Sequence, residues 1–467
     1  MPASERRLTV LGGGGFRVPL VYGALLGGGS PVTEVVLYDV DHGRLAAISR
    51  VLEAQAAGVP HAPRVVATTD LSGALTGASF VFSAIRVHGL AGRVIDERVA
   101  LGEGVLGQET VGAGGVSYGL RTVPVADAIA RRIALVAPDA WVINFTNPAG
   151  LVTEAMAVHL GDRVIGICDS PSALVRRVLR AVNPAAARAR DATPASGRDA
   201  TAATGPDAAA GARPSYAGLN HLGWLTAVHA ADGADLLPGL LADDAALGSF
   251  GEGRLFGPDK LRRLGVVPNE YLHYYYETKT LVRAELDAPE TRGEFLLRQQ
   301  SECYSRMLSA DADPLTAWTA ALRQRDATYL AMEGLGERDD AEGGGYEEVA
   351  LALMSAIARD EPADLILNVR NRGTIGFLDD DAVVEVPCRV DAGGARPYPG
   401  AEIPAHGVDL VKRIKATERA VLEAAASESL AVAVRAMASH PLVDSVPVAR
   451  RLVAAYRDRF PELTYLR

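Results

Sequence analysis

The sequence predicts an α/β fold, with a doubly wound parallel sheet over residues 1–170 followed by an α+β half over residues 171–467. Two observations predict it. Short Val-, Ile- and Leu-rich runs alternate with longer amphipathic stretches through the first third of the chain, the pattern of parallel strands joined by helical crossovers. A glycine-rich turn follows the first run and opens a helix, the usual entrance to such a sheet.

Six runs read as strands: "LTVLG" (8–12), "EVVLYD" (34–39), "RVVAT" (64–68), "FVFSA" (80–84), "WVINF" (141–145) and "VIGIC" (164–168). Between them, "VDHGRLAAISRVLEAQAAG" and "VPVADAIARRIALVAP" carry apolar residues at three- and four-residue spacing and end near Gly or Pro, as helices do. The stretch Val105 to Pro124 is so rich in glycine that it reads as a long loop wrapping a ligand. Residues Asn183 to Pro214 hold almost no large apolar side chains, so a mobile surface loop is expected there. Beyond it come a Tyr-rich helix in "NEYLHYYYET", strands in "DLILNVRN" and "AVVEVPCRV", and an Ala-rich pair of C-terminal helices. No repeat is detectable.

A chain of 467 residues can bury a sizeable core without disulfides. Its three cysteines, Cys168, Cys303 and Cys388, are scattered and form no CxxC pair, which points to a reducing compartment and to chemistry for any special thiol. No signal-like or membrane-length apolar run is present, so the expectation is a soluble, cytoplasmic protein without a membrane partner. A formal net charge of -10 with intermixed signs argues against nucleic acid.

The turn "VLGGGGFRVP" has the spacing Gly12-x-Gly14, which lets backbone approach a pyrophosphate at a helix N-terminus, but Arg17 stands where a third small residue is usual. Asp39 ends the second strand, where a carboxylate can accept ribose hydroxyls. Together they favour a dinucleotide over an ordinary tight turn. Cys168 in "VIGICDSP" and His221 in "GLNHLGW" offer a thiolate and an imidazole suited to a divalent first-row ion with open positions. A single histidine is more often structural than a ligand, and two separated residues make a weak metal motif on spacing alone. Tyr271, Tyr274 and Tyr275 share one helical face, for which core packing is the default; a tyrosine there acts as a base only if a cation lowers its pKa.

These pieces in this order, "GGGGFRVP", "LYDVD", "IRVHGL", "GQETVGAGG", "INFTNPAG", "GICDSP", "GLNHLGW", "YLHYYY" and "NVRNRGTI", resemble the family 4 glycoside hydrolases over nearly the whole chain. The resemblance implies a Rossmann-like first domain in a lactate/malate dehydrogenase-like architecture, with NAD and Mn²⁺ (or another divalent first-row metal) as cofactors. It implies that Cys168 and His221 bind the ion, that Tyr271 is the base at sugar C2, that Arg86 and Asn147 line the sugar site and that Arg292 holds a 6-phosphate. Gly12, Gly14, Phe16, Arg17 and Asp39 fall to the dinucleotide, although Phe16-Arg17 departs from the family's pattern, as does His88 where glycine is common. The implied reaction is oxidation at C3, deprotonation at C2, elimination at C1, water addition and re-reduction, so that a glycoside is split with no net redox change. The pair of catalytic carboxylates used by most glycosidases has no part in this NAD-dependent chemistry. The expected substrate is a 6-phosphoglucoside, with the β linkage favoured; Asp169, able to protonate a leaving oxygen, speaks for α. The alternatives are a galactosidase or glucuronidase on an unphosphorylated sugar, a plain NAD-dependent dehydrogenase, or a noncatalytic sensor. A homodimer or homotetramer joined through the C-terminal half is expected.

Overall fold

A computed structural model describes residues 6–27, 30–182, 212–332 and 345–467. Six parallel strands form in order of sequence: β1 (Arg7–Leu11), β2 (Glu34–Tyr38), β3 (Arg64–Thr68), β4 (Phe80–Ser83), β5 (Trp141–Asn144) and β6 (Val164–Gly166). Their spatial order, β3-β2-β1-β4-β5-β6, reverses direction at β1, which is the doubly wound arrangement the alternating pattern predicts. Strands β1, β4 and β5 are almost fully buried because helices cover both faces, and this is why they read as continuous apolar runs.

The second half extends the same sheet. β7 (Arg213–Leu219), β8 (Leu222–His229), β9 (Val267–Pro268), β10 (Ala363–Arg370), β11 (Val383–Asp391) and β12 (Gly394–Pro397) pair antiparallel, and β10 joins β6 through Asn368 opposite Gly166. Glycine is needed at that seam: a Cβ on Gly166 would stand 2.5 Å from Thr153 Oγ1 and 2.7 Å from Asn368 Cβ. The sheet therefore runs unbroken across residue 170, where the first domain was expected to end.

Three expectations are corrected. Residues 112–124 are not loop: α5 spans Gly112–Val136, and its first twelve residues are all buried. The glycines serve close approach, since a Cβ on Gly114 would lie 2.2 Å from Gln108 O, on Gly115 2.5 Å from Thr110 O, and on Gly119 2.5 Å from Leu151 Cδ2. Of the expected stretch only residues 105–111 remain as loop, folded back onto the start of α5. The C-terminus holds three helices rather than two, Val408–Ser427, Leu430–Ser439 and Val446–Arg459, with the first break made by Glu428 in a left-handed conformation that no glycine announces. Of the tract expected as a mobile loop, residues 183–211 lie outside the described residues, while Arg213 and Pro214 already belong to β7. Among the described residues no helix is long and apolar enough to cross a membrane.

Candidate active site

The C-terminal ends of the parallel strands open on a cleft of about 750 Å³. One part of its wall is the turn after β1. Gly12 has φ +81°, and a Cβ there would sit 2.5 Å from Ala84 O; on Gly14 it would meet Arg44 Cβ at 2.7 Å. The chain thus passes where only glycine fits. Asp39, at the end of β2, accepts from Gly14 N at 3.0 Å and from Asp41 N at 3.1 Å, so its carboxylate is fixed beside the turn. Helix α1 (Val18–Leu26) follows with proline in its first turn and no acidic residue there, leaving a positive helix end for an anion. Phe16 is buried against Trp318, and the Arg17 guanidinium lies over the rings of Tyr346 and Phe145 at 5.2 and 5.8 Å.

The remaining wall brings together residues from distant segments. Cys168 follows β6 and is buried, its Sγ 3.9 Å from Asp169 Oδ1 at the start of α7 (Ser170–Val182). Burial, with the nearby Glu385 and Asp169, holds the thiol well above its ordinary pKa in the absence of a cation. His221 sits in the two-residue turn between β7 and β8 at φ +61°, a conformation that costs a non-glycine residue about 1–2 kcal/mol. Burial lowers its pKa to about 3, so the imidazole is neutral and keeps a lone pair for an ion. The Tyr271 ring lies flat on that imidazole, with 3.6 Å between centroids and 3° between planes. The Tyr-rich helix is short, Leu272–Tyr276, and the tyrosine stripe divides: Tyr274 packs inside, whereas Tyr271 precedes the helix and faces the cleft.

Arg86 and Asn147 also line the cleft. Arg86 pairs with Glu109, and among the described residues the buried Asn147 Oδ1 meets no hydrogen-bond partner, an oxygen left for a ligand. Arg292 does not reach the wall. It is buried at the first turn of the helix Arg292–Leu308, where it donates to Thr328 Oγ1 at 2.9 Å and to Arg325 O at 3.0 Å, because the helix Pro314–Met332 packs across its path. Arg325 lines the cleft instead, as do Arg44 and Arg93.

Sequence reasoning passed over two carboxylates here. Glu270, next to Tyr271, lines the cleft and accepts from Ser170 Oγ at 2.7 Å; burial, followed by Glu252, raises its pKa to about 7. Glu385 in β11 accepts from Tyr216 OH at 3.0 Å, Asn368 Nδ2 at 2.9 Å and Asn220 Nδ2 at 3.3 Å, and burial raises it to about 7 as well. Asn220 in turn accepts from Ala149 N at 3.2 Å, tying the turn that presents His221 to the segment that presents Asn147. A lone Glu inside "VVEVPC" and a lone Asn inside "LILNVR" were the available signals, since a polar residue in the middle of a buried strand must be there to meet a partner.

The donor set suits a divalent ion. Among the described residues no group of three His, Cys, Asp or Glu side chains could hold one, but Cys168, His221 and the unpartnered Asn147 oxygen border one cleft, leaving other positions for substrate oxygens. The glycine turn with Asp39 fits a dinucleotide for the reasons of space already given.

The family 4 glycosyl hydrolase model matches residues 8–184, and the family 4 glycosyl hydrolase C-terminal domain matches residues 216–443. The chain belongs to family 4 of the glycosyl hydrolases. A probable 6-phospho-β-glucosidase of Bacillus subtilis is 31% identical to it, over 96% of this chain and 94% of that protein. The 6-phospho-β-glucosidase of Thermotoga maritima, solved with NAD and glucose-6-phosphate, superposes with a TM-score of 0.80 at 25% identity, covering 97% of this chain and 98% of the other. A 6-phospho-α-glucosidase from gut microorganisms, solved with NAD and Mn²⁺, shares the fold with a TM-score of 0.79 at 24% identity, covering 98% and 99%. The family 4 chain described here is accordingly a glycoside hydrolase, and its relatives split between the two linkages.

Proposed function

We propose that this family 4 hydrolase cleaves 6-phosphoglucosides, the β-linked ones in preference, using NAD⁺ and Mn²⁺. The observation that carries the reading is the flat stack of Tyr271 on His221 in the same cleft as Cys168 and the Gly12 turn. A base, two soft metal donors and a dinucleotide cradle meet in one cavity. When bound, the dinucleotide supplies reversible hydride transfer and the ion supplies Lewis acidity.

The rest is the work of the chain. Gly12, Gly14 and Asp39, with Phe16 and Arg17, hold the dinucleotide; Cys168 and His221 hold the ion. The Tyr271 phenol oxygen takes the proton from sugar C2, and the neighbouring cation is what makes a phenolate accessible. Arg86 and Asn147 orient the sugar, and Asp169 passes a proton to the departing oxygen. The cationic side chains on the wall, Arg17, Arg44, Arg86, Arg93 and Arg325, suit an anionic substrate beside an anionic cofactor. The 6-phosphate falls to this set, with Arg292 bracing the helix that carries Arg325.

Asp169 favours the α linkage and keeps it as a second reading. Comparing Asp169→Asn on alkyl and p-nitrophenyl 6-phosphoglucosides of each anomer tests its role: alkyl turnover should collapse while nitrophenyl turnover survives, because nitrophenolate leaves without a proton. Equal losses on both reject the acid role. The withdrawal of Arg292 from the cleft favours the rival of an unphosphorylated sugar. A panel of α- and β-p-nitrophenyl glucosides, galactosides and glucuronides, each glucoside with and without a 6-phosphate, decides between them. Turnover of the 6-phosphoglucosides alone, dependent on NAD⁺ and Mn²⁺, is expected; turnover confined to phosphate-free sugars would overturn the reading, and net accumulation of NADH would mark a dehydrogenase.

A further inference from the structure

His221 stands at the end of a directed chain of hydrogen bonds that begins in the loop before α5. Gln108 Oε1 accepts from Thr110 N at 2.6 Å and from Val111 N at 2.9 Å. Two backbone donors can be met only by the amide's carbonyl oxygen, so the orientation of Gln108 is fixed. The Thr110 hydroxyl lies 3.1 Å from that oxygen and 3.1 Å from His221 Nδ1. It has one proton to give. Donated to Gln108, it leaves the hydroxyl oxygen to accept from an Nδ1–H, and every polar proton along the chain is used. Donated to Nδ1, it leaves two oxygens facing each other with no proton between them and moves the imidazole proton to Nε2, which makes no hydrogen bond among the described residues. The first arrangement is therefore the stable one.

The Tyr271 stack fixes the plane of the imidazole but does not distinguish its two flipped orientations, and the left-handed backbone at His221 fixes only where the ring begins. Thr110 is the group that distinguishes them. We propose that Thr110, oriented by Gln108, is a positioning residue that holds His221 as its Nδ1–H tautomer and so turns the Nε2 lone pair into the cleft for the divalent ion. The inference rests on the reading of His221 as a metal ligand, and it gives a task to two residues of "GQET" that the reaction itself does not use.

Two measurements test it. In metal-free protein labelled with ¹⁵N-histidine, a long-range ¹H–¹⁵N correlation spectrum reports the tautomer of His221, identified by the loss of its pattern in His221→Asn; Nδ1–H is expected, and Nε2–H would overturn the proposal. Because this readout uses the native side chains, it does not depend on any Thr110 variant folding. Mn²⁺ affinity, followed by electron paramagnetic resonance, should fall about 10- to 100-fold in Thr110→Val and recover to within a few fold in Thr110→Ser, with melting temperatures unchanged. Wild-type affinity in Thr110→Val overturns the positioning role. Equal Mn²⁺ affinity in the wild type and His221→Asn would instead overturn the metal assignment, and the proposal with it, whatever tautomer is seen, so the two failures are distinguishable.

Discussion

The two walls of the cleft are built on opposite principles. The dinucleotide wall is made by backbone: Gly12 and Gly14 matter for the side chains they lack, and one local segment of chain with Asp39 makes the shape. The sugar wall is made by side chains delivered from β6, the β7–β8 turn and the segment before Leu272, and the turn is held by polar neighbours far away in sequence, Thr110 on His221 and Glu385 on Asn220. The backbone site takes its shape from one segment of chain; the side-chain site is assembled from several. Damage to the first should appear in stability and cofactor affinity together, damage to the second in turnover with the fold intact.

The sharpest test of that contrast is chemical. Tyr271→Phe keeps the stacked ring and removes the phenol oxygen, so kcat on a 6-phosphoglucoside should fall about 10²- to 10⁴-fold, with loss of solvent deuterium incorporation at C2 when product forms in D₂O. Cys168→Ser should abolish Mn²⁺-dependent turnover, and chelation should silence the wild type, while the thermal transition stays put in both. Retained metal affinity in Cys168→Ser would end the assignment. Gly12→Ala breaks the comparison from the other side: at φ +81°, with Ala84 O 2.5 Å from the new carbon, it should cost at least about 1–3 kcal/mol in urea unfolding and weaken NAD⁺ binding at once. Unchanged stability would show that the turn is not sterically closed. Asp39→Asn should be milder, about tenfold in NAD⁺ affinity by titration, since a charged acceptor is replaced by a neutral one.

The smallest effect concerns the buried carboxylates under the sugar wall. Both Glu270 and Glu385 have folded-state pKa values raised to about 7, above the unfolded range, so the folded form binds the extra protons. Their contribution to stability is complete below about pH 4 and is lost as pH rises through about 7. Metal-free protein should therefore lose urea midpoint between pH 5.5 and 8, and Glu385→Gln should flatten that slope. A slope indifferent to the substitution would assign it to other groups.

What was legible in the sequence follows the same division. The six parallel strands and the glycine turn are local signals, periodicity and the absence of Cβ atoms, and they appear where the pattern places them. Cys168, His221 and Tyr271 are single residues whose partners lie elsewhere in the chain; spacing could not join them, and it took resemblance to a family to bring them together before the structure showed them on one cleft. Glycine misled in α5 because the same missing Cβ serves a loop and a tightly packed helix, and only the neighbours, Gln108 O and Leu151, tell which. Arg292 shows a related limit: a guanidinium at a helix start can turn to either side, and only the structure places it against Thr328 and Arg325 of the Pro314–Met332 helix.

The glycine turn has one further property, in the direction its carbonyls face. Gly14 O accepts from Tyr304 OH at 2.6 Å, Phe16 O from Trp318 Nε1 at 2.8 Å and Arg17 O from Tyr346 OH at 2.8 Å, across 290, 302 and 329 residues of chain. During synthesis the turn emerges among the first residues and waits for three donors from the last two-fifths of the protein. A nascent chain that stops near residue 170 has its parallel strands but lacks these three side-chain donors at the nucleotide turn and leaves an open edge on β6, so the first site to be translated is among the last to be finished.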